Sequence, residues 1–213
     1  MNKGDMVLVD YVGKTDGEIF DLTVEEKAEE ADLEAENFDP IPVLIGEKYV
    51  IEGFEEALES MEVGDEKEVE ISPEKGYGER DSDQIEKYPE KEFERQDVQV
   101  RVGEELMIGN RRGRVISKGS GRVRIDFNHP LAGKDLEYWI EIKEKVEDDE
   151  KKARYIFDYR VGHGGDDLEF DDETVKIPKT HSHGDHEHEL PEEVLEKVKS
   201  EIEEYTELEV EVE

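Results

Sequence analysis

Residues 46–78, GEKYVIEGFEEALESMEVGDEKEVEISPEKGYG, constrain the fold of this 213-residue chain more than any other stretch. Phe54, Ala57, Leu58 and Met61 fall at i, i+3, i+4 and i+7, the single apolar stripe of a short amphipathic helix. Val50 and Ile51 stand just before it, and Val63-Gly64-Asp65 turns the chain after it. Val69 and Ile71 then alternate with charge, as a half-buried strand does. The stretch ends in Gly76-Tyr77-Gly78. An apolar pair, a helix with an aromatic in its first turn and an aromatic between glycines predict a shallow apolar pocket with no nucleophile in it.

Charge bounds the partners. The chain carries 63 acidic and 28 basic residues, a net of −35, with only 34% hydrophobic residues. Those apolar residues nevertheless recur at helix or strand periods, so a folded protein with an acidic surface is expected. Its self-repulsion is relieved by salt, which suits a halophilic or salt-tolerant cytoplasm. Nucleic acid is excluded as a partner, since phosphate neutralisation needs clustered Lys and Arg. Cysteine is absent, which removes disulfides and thiolate chemistry. The start, MNKGDMVLVD, has no apolar leader and no run reaches membrane-spanning length, so the cytoplasm is the expected location and no membrane partner is expected.

Residues 6–13 and 18–21 read as strands joined by Thr15-Asp16-Gly17, and 40–46 as a third extended segment. Residues 23–37 are acidic and rich in helix formers, fitting a short exposed helix or a loop. Beyond a polar stretch at 79–92, the runs DVQVRV, EELMIG, RRGRVISK and GRVRIDF predict a small all-β unit of hairpins holding most of the arginines. Leu136, Tyr138, Ile140 and Ile142 alternate strictly. EKVEDDEKK at 144–152 reads as a charged linker, and 153–161 as a strand. Pro191 opens a helix striped by Val194, Leu195, Val198 and Ile202, and Leu208, Val210 and Val212 form a last strand.

YVGKTDGEIFD at 11–21, VLIGEKYVIEGFEEALESMEVGD at 43–65, ISPEKGYG at 71–78 and NHPLAGKDLEYWIEI at 128–142 occur in an order that resembles the FKBP family of peptidyl-prolyl isomerases. More closely, the chain is similar to its SlyD-like branch, with an insert in the flap, and to long archaeal members. The resemblance implies an α+β fold: an antiparallel half-barrel sheet wrapped on a short helix, an inserted small all-β domain and a C-terminal α+β domain. The implied boundaries are 1–83 with 128–146 for the isomerase domain, 84–127 for the insert and 147–213 for the C-terminal domain. By the same resemblance the pocket is lined by Tyr11, Phe20, Asp21, Val50, Ile51, Phe54, Tyr77 and Tyr138, with Ile41 nearby. Phe54 stands where the family often has Trp, and Tyr138 where Phe is usual; both remain aromatic.

The implied activity is rotation about X-Pro bonds of unfolded or nascent polypeptides, with no cofactor required. Val50, Ile51, Phe54 and Tyr138 would wall the proline ring. The Ile51 N–H and the Tyr77 hydroxyl would hold substrate carbonyls, and Asp21 would either orient Tyr11 or act on the twisting carbonyl. Taken singly, Tyr11, Phe20, Phe54 and Tyr138 are ordinary core residues, and Asp21 an ordinary turn residue; only their order makes a site. The implied role of the insert is to hold unfolded segments, with Met107 as an adaptable contact. Homodimerisation through residues 147–213 is a further expectation. His181, His183, His186 and His188 in THSHGDHEHEL offer imidazoles to Zn or Ni, against the simpler reading of a solvated loop. Two alternatives stand beside the isomerase: a holdase without turnover, and a His-rich metal-handling protein.

Overall fold

The computed structural model describes residues 1–31, 38–183 and 186–213, with side chains for all of these except Glu30 and 181–183 and 186–188. The chain divides into two compact units, 1–70 with 137–213, and 71–136.

In the first unit β1 (Met6–Thr15) is the central strand. Its outer half pairs antiparallel with β2 (Glu18–Leu22), and its inner half with β3 (Ile41–Leu44). Between β2 and β3 lies α1 (Glu25–Glu30). Next come α2 (Glu52–Glu59) and β4 (Glu66–Ile71). The long return strand β9 (Leu136–Val146) pairs antiparallel with the other edge of β1 and is flanked by β4. Leu136, Tyr138, Ile140 and Ile142 are all buried, as their alternation predicts. The stripe Phe54, Ala57, Leu58 and Met61 is likewise buried, so the helix and this sheet form one core. Ala28 of α1 is buried with Val12 and Leu22, against Ile19, Phe38 and Trp139. The acidic segment is therefore a short helix with one packed face; its residues 32–37 lie outside the described part.

The second unit contains β5 (Ile85–Pro89), α3 (Glu90–Arg95), β6 (Glu105–Ile108), β7 (Arg111–Gly119) and β8 (Arg122–Asp126). The four strands form one antiparallel sheet in the order β5-β8-β7-β6. Phe93, Val100, Val115, Val123 and Ile125 are its core. The expected strand at 97–102 is absent from this sheet, while the polar stretch 79–92 supplies both β5 and α3. Phe93 explains the helix: it is the one apolar residue of α3, and it is buried in the small core.

Residues 153–161 correct a sequence expectation. They are not a strand but most of α4 (Asp149–Val161). Ala153, Ile156 and Phe157 form an i, i+3, i+4 face that is fully buried. The Asp148 carboxylate caps the helix by accepting from the Lys151 N–H at 2.8 Å, and Gly162 ends it at φ 110°. The charged run at 144–152 is thus the end of β9 and an acidic first turn, not a linker. Then follow β10 (Glu169–Asp171), β11 (Thr174–Ile177), β12 (Thr180–His183), β13 (His186–Glu189), α5 (Glu192–Tyr205) and β14 (Glu209–Val212). β11 pairs antiparallel with β10 and parallel with β14, and α4 packs on α5.

Candidate active site

The sheet and α2 gather five of the expected residues. The Tyr138 ring is the hub. Phe54 meets it edge-to-face with centroids 5.1 Å apart, Phe20 does so at 5.7 Å, and Tyr11 lies 5.9 Å away. Tyr11 and Phe54 are themselves edge-to-face at 5.8 Å. Phe54 and Tyr138 are 2% and 6% exposed and make a floor, while Tyr11 and Phe20 are half-buried and stand around it. Asp21 is exposed at the rim, and accepts from the Tyr11 hydroxyl at 2.6 Å. Four rings centred on Tyr138 present a dry, weakly polar surface with one carboxylate at its margin.

Gly13 is the site residue that sequence reasoning missed. It stands opposite Tyr138 on one side of β1 and opposite Asp21 on the other. A Cβ there would lie 2.7 Å from the Phe20 ring and 2.9 Å from the Tyr138 ring. Its value is space, which no residue-type pattern announces.

Val50 and Ile51 are half-buried in the turn that leads into α2. Ile51 is the N-cap, and its carbonyl accepts from the Phe54 and Glu55 N–H groups at 3.0 and 3.1 Å. Among the described residues nothing accepts from the Ile51 N–H. A partly exposed, unpaired donor thus stands at the start of the helix that carries Phe54.

Tyr77 belongs to the other compact unit, where its ring stacks on His129 at 4.0 Å and 5°. Burial holds the His129 imidazole below its ordinary pKa, so the stack is favoured in its neutral form. Around it the ends of the inserted segment are tied together. Gly133 N–H donates to Gly78 carbonyl at 2.8 Å, Asn128 exchanges bonds with Asp81 at 2.9 and 2.8 Å, and Arg80 pairs with Asp126. Ile41 lies on β3, half-buried.

A furrow of about 980 Å³ on the first unit includes Tyr138 and is otherwise lined by Lys14, Lys27, Glu66, Glu68, Glu70 and Trp139 among others. Four of its lining residues are carboxylates once Glu137 is included, which suits water better than a proline ring. The aromatic cluster is the better match to apolar cargo. The four histidines of 181–188 lie on β12 and β13, whose backbone register pairs His181 with His188 and His183 with His186. Their side chains are outside the described part; among the described residues no group of three or more His, Cys, Asp or Glu could hold a metal ion. Among the described residues no helix is long and apolar enough to cross a membrane.

Among the described residues, an antiparallel sheet and one short helix hold an aromatic floor with one carboxylate at its rim, an arrangement suited to binding an apolar group. Residues 1–100 match the FKBP-type peptidyl-prolyl cis-trans isomerase family, and 88–131 match the IF domain of FKBP26. A short-type peptidyl-prolyl cis-trans isomerase from Methanocaldococcus jannaschii is 39% identical over 146 residues, 68% of this chain and 93% of that protein. The SlyD isomerases of Aeromonas hydrophila and Haemophilus influenzae are 31% and 35% identical over 132 and 107 residues. Those stretches cover 60% and 48% of this chain and 56% of each relative, so the chain spans about half the length of the SlyD proteins it matches. The chain belongs to the FKBP-type peptidyl-prolyl cis-trans isomerase family, in its SlyD-like branch.

Proposed function

We propose that the Tyr11–Phe20–Phe54–Tyr138 cluster is where this isomerase turns X-Pro bonds, and that the 84–127 insert holds unfolded client while it does so. Rotation meets a barrier of about 18–20 kcal/mol from lost amide resonance. At mid-rotation the C–N bond is single-like and charge separation has fallen. A dry aromatic floor favours that state over the planar, polar imide, which is differential binding rather than covalent catalysis. Val50 and Ile51 close the wall against the proline ring. The unpaired Ile51 N–H gives a substrate carbonyl a fixed donor, and Asp21 acts through Tyr11. Tyr77 enters as a second donor by its hydroxyl, on family resemblance alone. Each tenfold of rate needs about 1.4 kcal/mol, within the range of one such donor.

The observation that carries the reading is the buried Phe54–Tyr138 floor beneath two half-buried rings, with an unsatisfied backbone donor beside it. The test is isomerisation of a proline tetrapeptide. Asp21→Ala and Tyr77→Phe are expected to slow it with the fold intact by circular dichroism, and wild-type rates in both would count against the site.

The holdase reading of the insert is supported by Met107, 60% exposed on a sheet whose other face holds the small core. Removing 84–127 should spare turnover of short peptides and abolish turnover of a proline-limited unfolded protein. Loss of neither would remove the chaperone role. Cytoplasmic location in a salty cell, absence of nucleic-acid partners and dimerisation through 147–213 belong to the same proposal, supported by the acidic composition and the resemblance. Zn or Ni at the histidine hairpin is a separate reading that rests on residue type alone. Calorimetry with either metal, on wild type and a variant with all four histidines replaced by Ala, tests it; no binding at micromolar metal ends it.

A further inference from the structure

The turn Gly46–Ile51 carries the two apolar rim residues and the free Ile51 donor, yet it is poorly suited to hold itself. Gly46 lies at φ 93° and Lys48, which has a Cβ, at φ 57°. A side-chain-bearing residue in the left-handed region persists only where its surroundings fix it. Glu55 accepts from the Gly46 N–H at 2.8 Å, and at Lys48 and Tyr49 the fixing comes from residues more than a hundred positions away. Tyr159 of α4 lays its ring flat on Tyr49, with centroids 3.6 Å apart and planes 10° apart. Its hydroxyl reaches the carbonyls of both Lys48 and Tyr49, at 3.3 Å each. The Tyr49 hydroxyl donates to Glu201 of α5 at 3.3 Å. Glu201 is 1% exposed, and its carboxylate is held by the Arg160 guanidinium and by Lys197 at 2.9 Å. Arg160 also stands over both rings, 5.2 Å from the Tyr49 centroid and 4.9 Å from that of Tyr159. At the turn's other end Glu47 accepts from Tyr205 at 2.6 Å and pairs with Lys197 at 3.1 Å.

From this geometry we infer that α4 and α5 brace the pocket rim: Tyr159, with Glu201 behind Tyr49, is a positioning residue that fixes Val50 and the Ile51 N–H for substrate. The inference rests on the pocket reading above. Its contacts are made to the backbone of the turn, within three residues of Ile51. Tyr159 is itself 41% exposed and lies outside the buried Ala153–Ile156–Phe157 face of its helix. What it supplies is a flat surface and a donor at the place where the turn is strained.

The experiment uses the full chain and reads kcat and KM on a proline tetrapeptide, with hydrogen exchange of residues 47–51 alongside. Tyr159→Ala should raise KM roughly three- to tenfold, with a smaller change in kcat, and speed exchange in the turn. Tyr159→Phe keeps the stack and should recover most of the loss. Arg154→Ala is the control: it lies on the same helix but bonds the Gly165 and Asp166 carbonyls at 2.7 and 2.8 Å, and it should leave KM at the wild-type value. An unchanged KM in Tyr159→Ala, while Tyr138→Ala loses activity, overturns the brace and leaves the pocket standing. An equal rise in KM for Arg154→Ala overturns it too, because the effect is then general loosening of the helix. Unchanged activity in Tyr138→Ala overturns the pocket reading, and the brace with it.

Discussion

Gly13 shows how one absent side chain can make a site. Its backbone lies between the Phe20 and Tyr138 rings, where a Cβ would be 2.7 and 2.9 Å from them. Tyr138 cannot retreat without breaking its contacts with Phe54 and Tyr11, nor Phe20 without breaking its edge contact with Tyr138. Gly13→Ala should therefore lower kcat/KM by roughly tenfold or more and cost about 1–3 kcal/mol in urea unfolding, as overpacking does. A surface position tolerating Ala would show neither effect. The Tyr11–Asp21 bond at 2.6 Å poses a sharper question. If Asp21 acts only by holding Tyr11, then Tyr11→Phe, Asp21→Asn and the double variant should be equally slow. If Asp21 also acts on the twisting carbonyl, the double variant will be slower than Tyr11→Phe alone.

At the scale of elements, α4 is the instructive case. Its tyrosines, Ile156 and Phe157 are residue types favoured in strands, and the segment Ala153–Val161 reads as one. The helix wins because Ala153, Ile156 and Phe157 share one buried face, and because Asp148 and Gly162 cap both ends. Asp148→Ala should cost about 1 kcal/mol, read as a shift in the urea midpoint. The Glu47 contact gives a pH dependence. The Tyr205 hydroxyl, helped by Lys197 and Lys3, holds the Glu47 carboxyl at about 2, against an ordinary 4.5. A depressed carboxylate stabilises the fold above its ordinary value, and that contribution fades as pH falls towards 2. The thermal midpoint should fall over that window, and Glu47→Gln should flatten part of the slope; an identical slope in the variant would show that the contact carries none of it.

For the whole molecule, charge is unevenly shared. Residues 71–136 hold 13 acidic and 13 basic residues, so the net of −35 lies entirely in the remaining 147. Residues 71–136 are therefore the part of the chain that carries no net charge. Self-repulsion in the other unit should yield to salt, as the Debye length shrinks from about 30 Å at 0.01 M to about 3 Å at 1 M. The thermal midpoint of the full chain is expected to rise over that range of KCl. A flat response would mean that the acidic surface is already relieved by its own ion pairs.

What the chain could declare by itself was periodic or local. The Phe54–Met61 stripe, the alternation of Leu136 to Ile142 and the Pro191 helix each bury one face, and a buried face must repeat at the period of its element. The stretches 11–21, 43–65 and 128–142, in family order, also named the four rings that the fold brings together. What had to wait for the folded molecule depends on contacts between residues remote in sequence. The room that Gly13 leaves, the helical state of 153–161 and the tie from Tyr159 to Tyr49 are of this kind. None has a period, because each is fixed by where another element lies, and that is set only when the core closes.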